Sequence, residues 1–267
     1  MLHPKASAKT SSQFPTSIQL HPPRAPDHNM ISFATIGTSW ITDSFISSAH
    51  STGQWQLSAV YSRDDAKGKD FALKYDDKNV HIHTSLAALV SDDKVDAVYI
   101  ASPNSLHFEH AKACIEARKH VIVEKPAACN SCEFDELCRL SREHSVFFLE
   151  AFRHIHEASF DLLRQALHRL GSIYGASFTY ASYSSRYNNV LAGETPNIFS
   201  LDFAGGSLVD LGVYPISAAI ALFGKPNAQS YAPVTIRTGA DGGGVVVLKY
   251  DDFAVQINAS KIYTSNW

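Results

Sequence analysis

The feature that most constrains the fold is a regular alternation of short apolar runs with amphipathic stretches, which begins at Ile31. Runs such as Ile31–Ile36 and Val95–Ala101 have the length and composition of buried strands, and the stretches between them carry apolar residues at helical spacing. Strands and helices that alternate through short joins indicate a parallel sheet with helices on both faces. The pattern therefore predicts an α/β Rossmann fold with a doubly wound parallel sheet, in a domain of residues 30–151.

The pattern changes after a predicted helix at Ile155–Leu170, where long strands with hairpin-like connections follow. One further helix is predicted at Val213–Phe223. The predicted strands are Ile173–Ser184, Val234–Thr238, Val245–Tyr250 and Ala254–Ile262, with Gly242–Gly244 ahead of the last pair. Strands with few helices between them predict an α+β domain with a mainly antiparallel sheet over residues 152–267.

The composition limits the partners of this chain. Its 45% hydrophobic and 18% charged residues are typical of a soluble globular protein, and a formal net charge of -3 excludes a basic surface for nucleic acid. No uninterrupted apolar run has the roughly 18–20 residues of a membrane span. Residues 1–29 are rich in proline and have no acid before Asp27, which predicts a disordered tail or sequence upstream of a start at Met30. We expect a cytoplasmic protein.

Two motifs could suggest metal or redox chemistry. Cys129 and Cys132 form a Cys-x-x-Cys, which is compatible with a dithiol, with half a zinc site, or with free thiols at the start of a helix capped by Asn130 or Ser131. We favour free thiols, in a protein of a reducing compartment. Two His-x-His pairs, at residues 81 and 83 and at residues 154 and 156, have no acid or cysteine at ligand spacing. We therefore expect no bound metal.

A nucleotide site is expected at the turn after the first predicted strand. Only Gly37 matches the three glycines of a dinucleotide fingerprint, but small residues follow it and a helix begins there, so backbone N–H groups can still face a phosphate. A strand–turn–helix without a ligand is the alternative. The predicted contacts are Gly37, Thr38, Ser39, Trp40 and Ile41.

The second predicted strand ends at Tyr61, where an NAD site usually has an acid for the ribose hydroxyls. Ser62 and Arg63 follow instead, and these side chains would bind a 2′-phosphate through charge-assisted hydrogen bonds. The sequence therefore favours NADP, with NAD possible. A surface arginine at a helix start is the alternative.

Candidate catalytic residues follow the fourth and fifth strands of the predicted sheet, because open α/β sheets bind ligands at the carboxyl ends of their strands. Lys125 stands just past an apolar strand, where burial and a nicotinamide cation would lower its pKa so that it can polarise a carbonyl. Glu124 is expected to pair with Lys125 or with the cofactor ribose. The remaining predicted cofactor contacts are Ser102, Pro103, Asn104 and His107.

Three segments together resemble the Gfo/Idh/MocA oxidoreductase family, which includes glucose–fructose oxidoreductase, inositol dehydrogenase and dimeric dihydrodiol dehydrogenase. Ala117–Pro126 is similar to its Ala-Gly-Lys-His…Glu-Lys-Pro signature, although Arg118 stands in place of the glycine. Ser102–His107 is similar to its Thr-Pro-Asn-x-x-His segment, and Gly205–Pro215 to its Gly-Gly-x-x-x-Asp-x-Gly-x-His/Tyr motif. The resemblance covers about residues 31–267.

The resemblance implies hydride transfer between a nicotinamide cofactor and a secondary alcohol or carbonyl of a sugar, polyol or dihydrodiol. Tyr214 would be the general acid or base, Lys125 would lower its pKa, and Asp210 would hold a substrate hydroxyl. Gly205 and Gly206 would let their helix approach the cofactor. Tyr214 as a core or interface tyrosine is an alternative, and so is a non-catalytic NADP(H)-binding sensor on the same fold.

The remaining expectations concern the substrate and the assembly. Arg186 and Asn197 lie in a polar loop and are candidate substrate contacts, with a solvated loop as the alternative. A small-molecule substrate and a homodimer through the second sheet are expected. Because the family continues beyond the strand at Ala254–Ile262, the chain is expected to be truncated at its C-terminus, with an incomplete second sheet.

Overall fold

The computed structural model describes residues 30–75 and 79–264. The predicted disordered tail at residues 1–29 lies outside the described residues. The described chain forms two sheets: a six-stranded sheet in the order β3-β2-β1-β4-β5-β6 and a four-stranded sheet in the order β7-β10-β9-β8. The predicted change of architecture near residue 151 falls between these two sheets.

All neighbouring strands of the first sheet are parallel. Its strands are β1 (Ile31–Ile36), β2 (Trp55–Tyr61), β3 (His81–His83), β4 (Ala97–Ile100), β5 (His120–Val123) and β6 (Phe148–Glu150). Its helices are α1 (Trp40–Ser51), α2 (Asp65–Ala72), α3 (Leu86–Val90), α4 (His107–Glu116) and α5 (Ser131–Glu143). The predicted Rossmann fold is confirmed.

Both faces of this sheet are buried, as a doubly wound fold requires. Phe33 of β1 packs in a cluster with Ile46 of α1 and Phe71 of α2, whereas its neighbour Ala34 packs on the other face in a cluster that includes Leu137 of α5. Successive side chains of a strand point to opposite faces. When helices cover both faces, the residues on each face are buried, so the strand is mostly apolar along its length.

Short turns and side-chain caps mark where several helices of the first sheet begin. Asn104–Leu106 forms a 3-10 turn before α4, and Ser85 caps α3 by accepting a hydrogen bond from the Ala88 N–H. Of the two predicted caps of α5, Asn130 and Ser131, the structure has Asn130. Its Oδ1 accepts a 3.0 Å hydrogen bond from the Glu133 N–H. All four cysteines are free thiols.

The second sheet is mainly antiparallel, as predicted; only its β10–β7 pair is parallel. The strands are β7 (Ala176–Ala181), β8 (Ala228–Thr235), β9 (Asp241–Lys249) and β10 (Ala254–Ser260). Gly242–Gly244 were expected before a strand, but they lie inside β9. An added Cβ at Gly244 would lie 2.5 Å from the Tyr231 ring of β8, so this strand needs glycine where its neighbour's tyrosine crosses it.

Three helices accompany the second sheet: α6 (Ala158–Leu167), α7 (Tyr187–Leu191) and α8 (Val213–Phe223). Ala219 of α8 packs in one cluster with Val246, Val255 and Ile257 of the sheet. A helical stretch at Leu201–Phe223 is long and apolar enough to cross a membrane by length and composition alone, contrary to the expectation from the sequence. Its α8 part packs on the second sheet, and 33% of its most apolar 18-residue window is buried.

The spacing argument against metal ligands is wrong for one of the two His-x-His pairs. His81 and His83 of β3 lie beside the carboxylate of Asp92, which follows α3. The sequence separates the acid from the histidines by a helix, and the packing of α3 beside β3 brings them together.

Candidate active site

A cleft of about 630 Å³ opens at the carboxyl ends of β1, β2 and β4. It is the position at which open α/β sheets bind nucleotides. The cleft brings together most of the residues predicted for the cofactor. Its lining includes Gly37, Thr38, Ser39, Tyr61, Ser62, Arg63, Asp64, Lys67, Ala101, Ser102, Pro103 and His110.

The turn after β1 requires a glycine. Gly37 has a φ of +111°, which L side chains rarely adopt, and an added Cβ would lie 2.6 Å from the Ala101 carbonyl oxygen. The next helix, α1, has Ser39 at its N-cap, but the serine side chain makes no capping hydrogen bond. The N–H groups of the first turn of α1 therefore face the cleft without a helical partner, which makes an anion site.

The far end of the cleft carries two cations. Arg63 follows β2 as predicted, and Lys67, one helical turn later on α2, lines the same cleft. The Lys67 ammonium lies 3.6 Å from the Asp64 carboxylate, and Asp64 caps α2 by accepting a hydrogen bond from the Lys67 N–H. Sequence reasoning missed Lys67, which lies in the first turn of α2 shortly after Arg63.

A second cavity, of about 350 Å³, continues from this cleft towards the second sheet. It brings together the predicted residues Trp40, Ile41, Ser102, Asn104, His107, Glu124, Lys125, Asp210 and Tyr214. Arg153 and Tyr180 line it too and were missed. Arg153 follows the sixth strand of the parallel sheet, so the rule of strand carboxyl ends could have found it. Tyr180 lies on β7 and carried no such signal.

Lys125 and Asp210 join the two sheets at this cavity. The Lys125 Nζ lies 2.9 Å from the Asp210 Oδ1 and 2.9 Å from the Asp210 carbonyl oxygen. Burial pushes the pKa of Lys125 down, but the Asp210 carboxylate and the nearby Tyr214 and Glu124 outweigh it, so the pKa is raised. The expected lowering of this pKa is therefore wrong for the chain without its cofactor.

The backbone around Asp210 explains why its carbonyl oxygen can accept from Lys125. Asp210 lies in a π-helical turn, Leu208–Gly212, which leads into α8. In such a turn a carbonyl pairs with the N–H five residues later, and for Asp210 that residue is Pro215, which has no N–H. The Asp241 carboxylate holds the start of the turn by accepting a 2.7 Å hydrogen bond from the Leu208 N–H.

Lys261 is a second ammonium on Asp210, and sequence reasoning missed it. Its Nζ lies 2.8 Å from the Asp210 Oδ2 and 3.0 Å from the Ile198 carbonyl oxygen, and its side chain is 3% exposed. Burial lowers the pKa of Lys261 in spite of the neighbouring carboxylate. Attraction to both lysines outweighs the burial of Asp210, and the pKa of this carboxyl is lowered. Asp210 is therefore a carboxylate shared by two ammonium groups.

Tyr214 lies beside this ion cluster on α8, one turn after Asp210. The Lys125 Nζ is 4.9 Å from the centre of its ring, and the ring of His154 packs against it edge-on. Burial raises the pKa of Tyr214, and the Lys125 ammonium partly offsets that effect. Lys125 therefore acts on the pKa of Tyr214 in the direction expected from the sequence, which is downward.

Two further predicted residues hold the loops of the site in place. Glu124 accepts a 2.6 Å hydrogen bond from the buried Tyr99 hydroxyl instead of forming an ion pair with Lys125. His107 is fully buried, and its two ring nitrogens lie 2.7 Å from the Pro126 carbonyl oxygen and 2.8 Å from that of Ser102. This histidine therefore links the two loops that carry the predicted catalytic and cofactor residues.

The predicted substrate residues Arg186 and Asn197 are not among the described residues that line the cavity around Lys125. Arg186 precedes α7, and Asn197 is exposed at the start of a 3-10 turn whose Phe199 is buried. The glycine pair also has a different contact from the one expected. An added Cβ at Gly205 would lie 2.6 Å from the Asn197 carbonyl oxygen, and one at Gly206 would meet the Asp241 side chain.

The residues present fit a dinucleotide cofactor. At Gly37 a Cβ would fill the space that a tight turn needs, and the uncapped start of α1 can accept a pyrophosphate. The cations Arg63 and Lys67 can pair with an anionic substituent on the ribose. The cleft continues into the cavity of Lys125 and Asp210, where the reactive end would lie. Fold and site together define an oxidoreductase with a nucleotide-binding Rossmann fold.

Comparison with known proteins agrees. The family described as "Oxidoreductase family, NAD-binding Rossmann fold", Gfo/Idh/MocA, matches residues 31–152. The chain is 43% identical to the uncharacterized oxidoreductase YgjR of Escherichia coli and 40% identical to the scyllo-inositol 2-dehydrogenase (NADP(+)) IolU of Bacillus subtilis. Each match covers 88% of this chain and 71% of the relative. Among solved structures, GenD2 from gentamicin A biosynthesis, in complex with NAD, superposes with a TM-score of 0.79 at 20% identity, over 92% of this chain and 70% of that one.

The chain belongs to the Gfo/Idh/MocA oxidoreductase family. It is therefore an oxidoreductase with a nucleotide-binding Rossmann fold, and its relatives with a named activity include dehydrogenases.

Proposed function

We propose that this protein is an NADP-preferring dehydrogenase or reductase for a secondary alcohol or carbonyl of a sugar, polyol or dihydrodiol. The observation that carries the proposal is the cluster at the inner end of the nucleotide cleft. There the Lys125 ammonium lies 2.9 Å from Asp210 and 4.9 Å from the Tyr214 ring. These are the three residues expected to act on the substrate.

The preference for NADP is supported by the charge at the outer end of the cleft. Arg63 and Lys67 are its cations, and position 61 holds a tyrosine where a carboxylate would repel a 2′-phosphate. Asp64 also lines the cleft, but its carboxylate caps α2 and pairs with Lys67. The relative IolU, which is named as NADP(+)-dependent, supports the same preference.

The chemistry follows from the charges around Tyr214. A bound nicotinamide supplies or accepts the hydride. Tyr214 passes the proton to or from the substrate oxygen, and the Lys125 ammonium stabilises the phenolate form. Burial keeps the pKa of Tyr214 above its usual value, so the resting side chain is a phenol that is ready to donate its proton to a carbonyl.

Asp210 orients the substrate in this proposal. Both of its carboxylate oxygens accept from lysines, and the side chain is still 35% exposed, so a substrate hydroxyl can reach it. Several polar groups around one small cavity fit a polyhydroxylated substrate better than an apolar one. Arg186 and Asn197 remain predicted substrate contacts, for a conformation in which their loop covers the cavity.

The proposal is tested by titrating NADPH and NADH into the protein and by measuring turnover with matched panels of inositols, aldoses and dihydrodiols. We expect tighter binding of NADPH, and turnover with at least one polyhydroxylated substrate. Tight binding of NADPH without turnover on any member of the panel would favour the sensor alternative. Equal affinity for both cofactors would refute the preference for NADP.

We also propose a cytoplasmic homodimer with its interface on the second sheet. α8 covers one face of this sheet, while Ser177 and Thr179 of β7 and Gln256 of β10 are exposed on the other. The four free thiols are compatible with a reducing compartment. Light scattering of the purified chain would give the mass of the assembly, and a monomer at all concentrations would exclude the dimer.

A further inference from the structure

A cluster of three potential metal ligands lies outside the candidate active site, at the edge of the parallel sheet. His81 and His83 are separated by one residue on β3, the edge strand next to β2. Their neighbour Ile82 packs into the core on one face of the sheet. Because side chains alternate along a strand, both histidines project from the opposite face.

The third member is Asp92, which follows the short helix α3. Its Oδ2 lies 2.9 Å from the His83 Nε2 and 3.6 Å from the His81 Nδ1. The three ligand atoms all lie within 4.8 Å of one another. Ligands bound about 2.0–2.2 Å from a tetrahedral Zn²⁺ are separated by about 3.3 Å, so a small rotation of the exposed His81 ring would complete the arrangement.

The carboxylate of Asp92 is held in place before any ion binds. Its Oδ1 accepts a 2.9 Å hydrogen bond from the Lys94 N–H, which leaves Oδ2 for the histidines. Its backbone is fixed as well, because its N–H donates to Leu89 and its carbonyl oxygen accepts from the Lys119 ammonium and the Val95 N–H. The side chain of Asp92 is only 11% exposed. A ligand fixed by its surroundings lowers the ordering cost of metal binding.

We propose that His81, His83 and Asp92 form a binding site for a borderline divalent cation of the Zn²⁺ type. A donor set of two imidazole nitrogens and one carboxylate oxygen binds Zn²⁺ in preference to Ca²⁺ or Mg²⁺, which favour oxygen ligands. His81 is 46% exposed, so the ion enters from solvent and keeps water on its remaining positions. The site joins β3 to the loop after α3 and stabilises the edge of the sheet.

A hydrogen bond at the end of the β2–β3 pair connects this edge to the cofactor cleft. The Ser62 N–H donates to the His83 carbonyl oxygen over 3.0 Å, and Ser62 lines the outer end of the cleft. An ion on His83 therefore braces the strand that supports the predicted 2′-phosphate contacts. The proposal itself concerns metal binding and does not depend on the activity proposed above.

The test is calorimetric titration of ZnCl₂ into the full chain after dialysis against a chelator, with thermal unfolding measured with and without zinc. We expect one Zn²⁺ per chain and a higher Tm in zinc. His83→Ala and Asp92→Asn should each weaken binding at least about tenfold, the lower end of what loss of an outer-shell partner costs a metal site, and should remove the zinc-dependent rise in Tm.

Control variants separate this site from other ligands of the chain. His168→Ala, at an exposed histidine after α6, should bind zinc like the original chain. Because thiolates are zinc ligands, the exposed Cys129 and Cys132 are both replaced by serine in a parallel titration. His81→Ala changes an exposed side chain, so it tests the site even if Asp92→Asn does not fold. Absence of zinc uptake, or uptake that is lost only with the two cysteines, would overturn the proposal.

Discussion

The Lys125 ammonium lies 2.9 Å from the carboxylate of Asp210, 85 residues away in the sequence. This ion pair connects the loop after β5 of the first sheet to the π-helical turn that leads into α8. Asp210 also binds Lys261, so the cluster contains two ammonium groups for one carboxylate. The excess positive charge lies beside the Tyr214 ring, where it favours a phenolate.

The pH dependence of turnover is expected to depend on Lys125. Its ammonium lowers the pKa of Tyr214, so Lys125→Met should raise that pKa further. Since alcohol oxidation needs the phenolate, its rate rises with pH through the Tyr214 pKa, and this rising limb of the pH–rate profile should move to higher pH. Lys112→Met, which removes a lysine paired with Glu136 away from the site, is the matched control and should leave the limb unchanged. A limb at the same pH in both variants would contradict this role of Lys125.

Tyr214→Phe removes the group that we expect to transfer the proton. Turnover should fall by at least ~10²-fold, because general acid–base catalysis contributes about 10²–10⁴-fold. The affinity for NADPH, measured by fluorescence titration, should change little. Tyr174→Phe, at a tyrosine that is 89% exposed, should have normal turnover. Normal turnover of Tyr214→Phe would make Tyr214 a packing residue only.

Arg63→Ala should separate the two cofactors. Loss of the guanidinium removes a charge-assisted contact to a 2′-phosphate, so we expect KM for NADP to rise roughly tenfold or more while KM for NAD changes little. Lys67→Ala should have an effect in the same direction. Lys69→Ala, at a lysine on the same helix that pairs with Asp65, serves as the control. Equal changes for both cofactors would show that Arg63 does not recognise the phosphate.

Lys261→Met tests the second ammonium on Asp210. Its loss removes two charged hydrogen bonds from a buried position, and we expect the free energy of unfolding to fall by about 1.5–3 kcal/mol. Since Lys261 positions Asp210, KM for the substrate should rise while the affinity for the cofactor is unchanged. The control is Lys249→Met, at the exposed end of β9. Urea denaturation and steady-state kinetics measure the two effects, and a change in stability alone would leave Lys261 a structural residue.

Arg118→Gly should stabilise the protein. Arg118 has a φ of +59° at the end of α4, a left-handed conformation that favours glycine, and it stands where the family signature has glycine. Relief of this strain outweighs the added freedom of the unfolded chain by roughly 0.5–1 kcal/mol. Arg142→Gly, in the last turn of α5, should have the opposite effect. The free energy of unfolding in urea measures both, and a destabilised Arg118→Gly would contradict the argument.

The parallel sheet could be predicted because its signal is local and repeats. Strand β1 begins and ends as predicted, β2 ends at Tyr61 as predicted, and β4 lies within the predicted apolar run Val95–Ala101. The second sheet was predicted less accurately. β8 begins at Ala228 rather than at Val234, because its exposed side chains do not show the alternation that marks a half-buried strand. Gly242–Gly244 are typical of a turn in sequence but form part of a strand in the sheet.

The same distinction applies to the candidate site. The sequence by itself determined the Rossmann fold and predicted that Gly37, Arg63 and Lys125 lie beyond the ends of parallel strands, because strand ends and short motifs are set locally. Only the tertiary structure decided that Lys261 shares Asp210 with Lys125 and that Asp92 joins His81 and His83. These residues are distant in sequence and meet only where separate elements pack, and charge interactions act over a few ångströms in space whatever the separation along the chain.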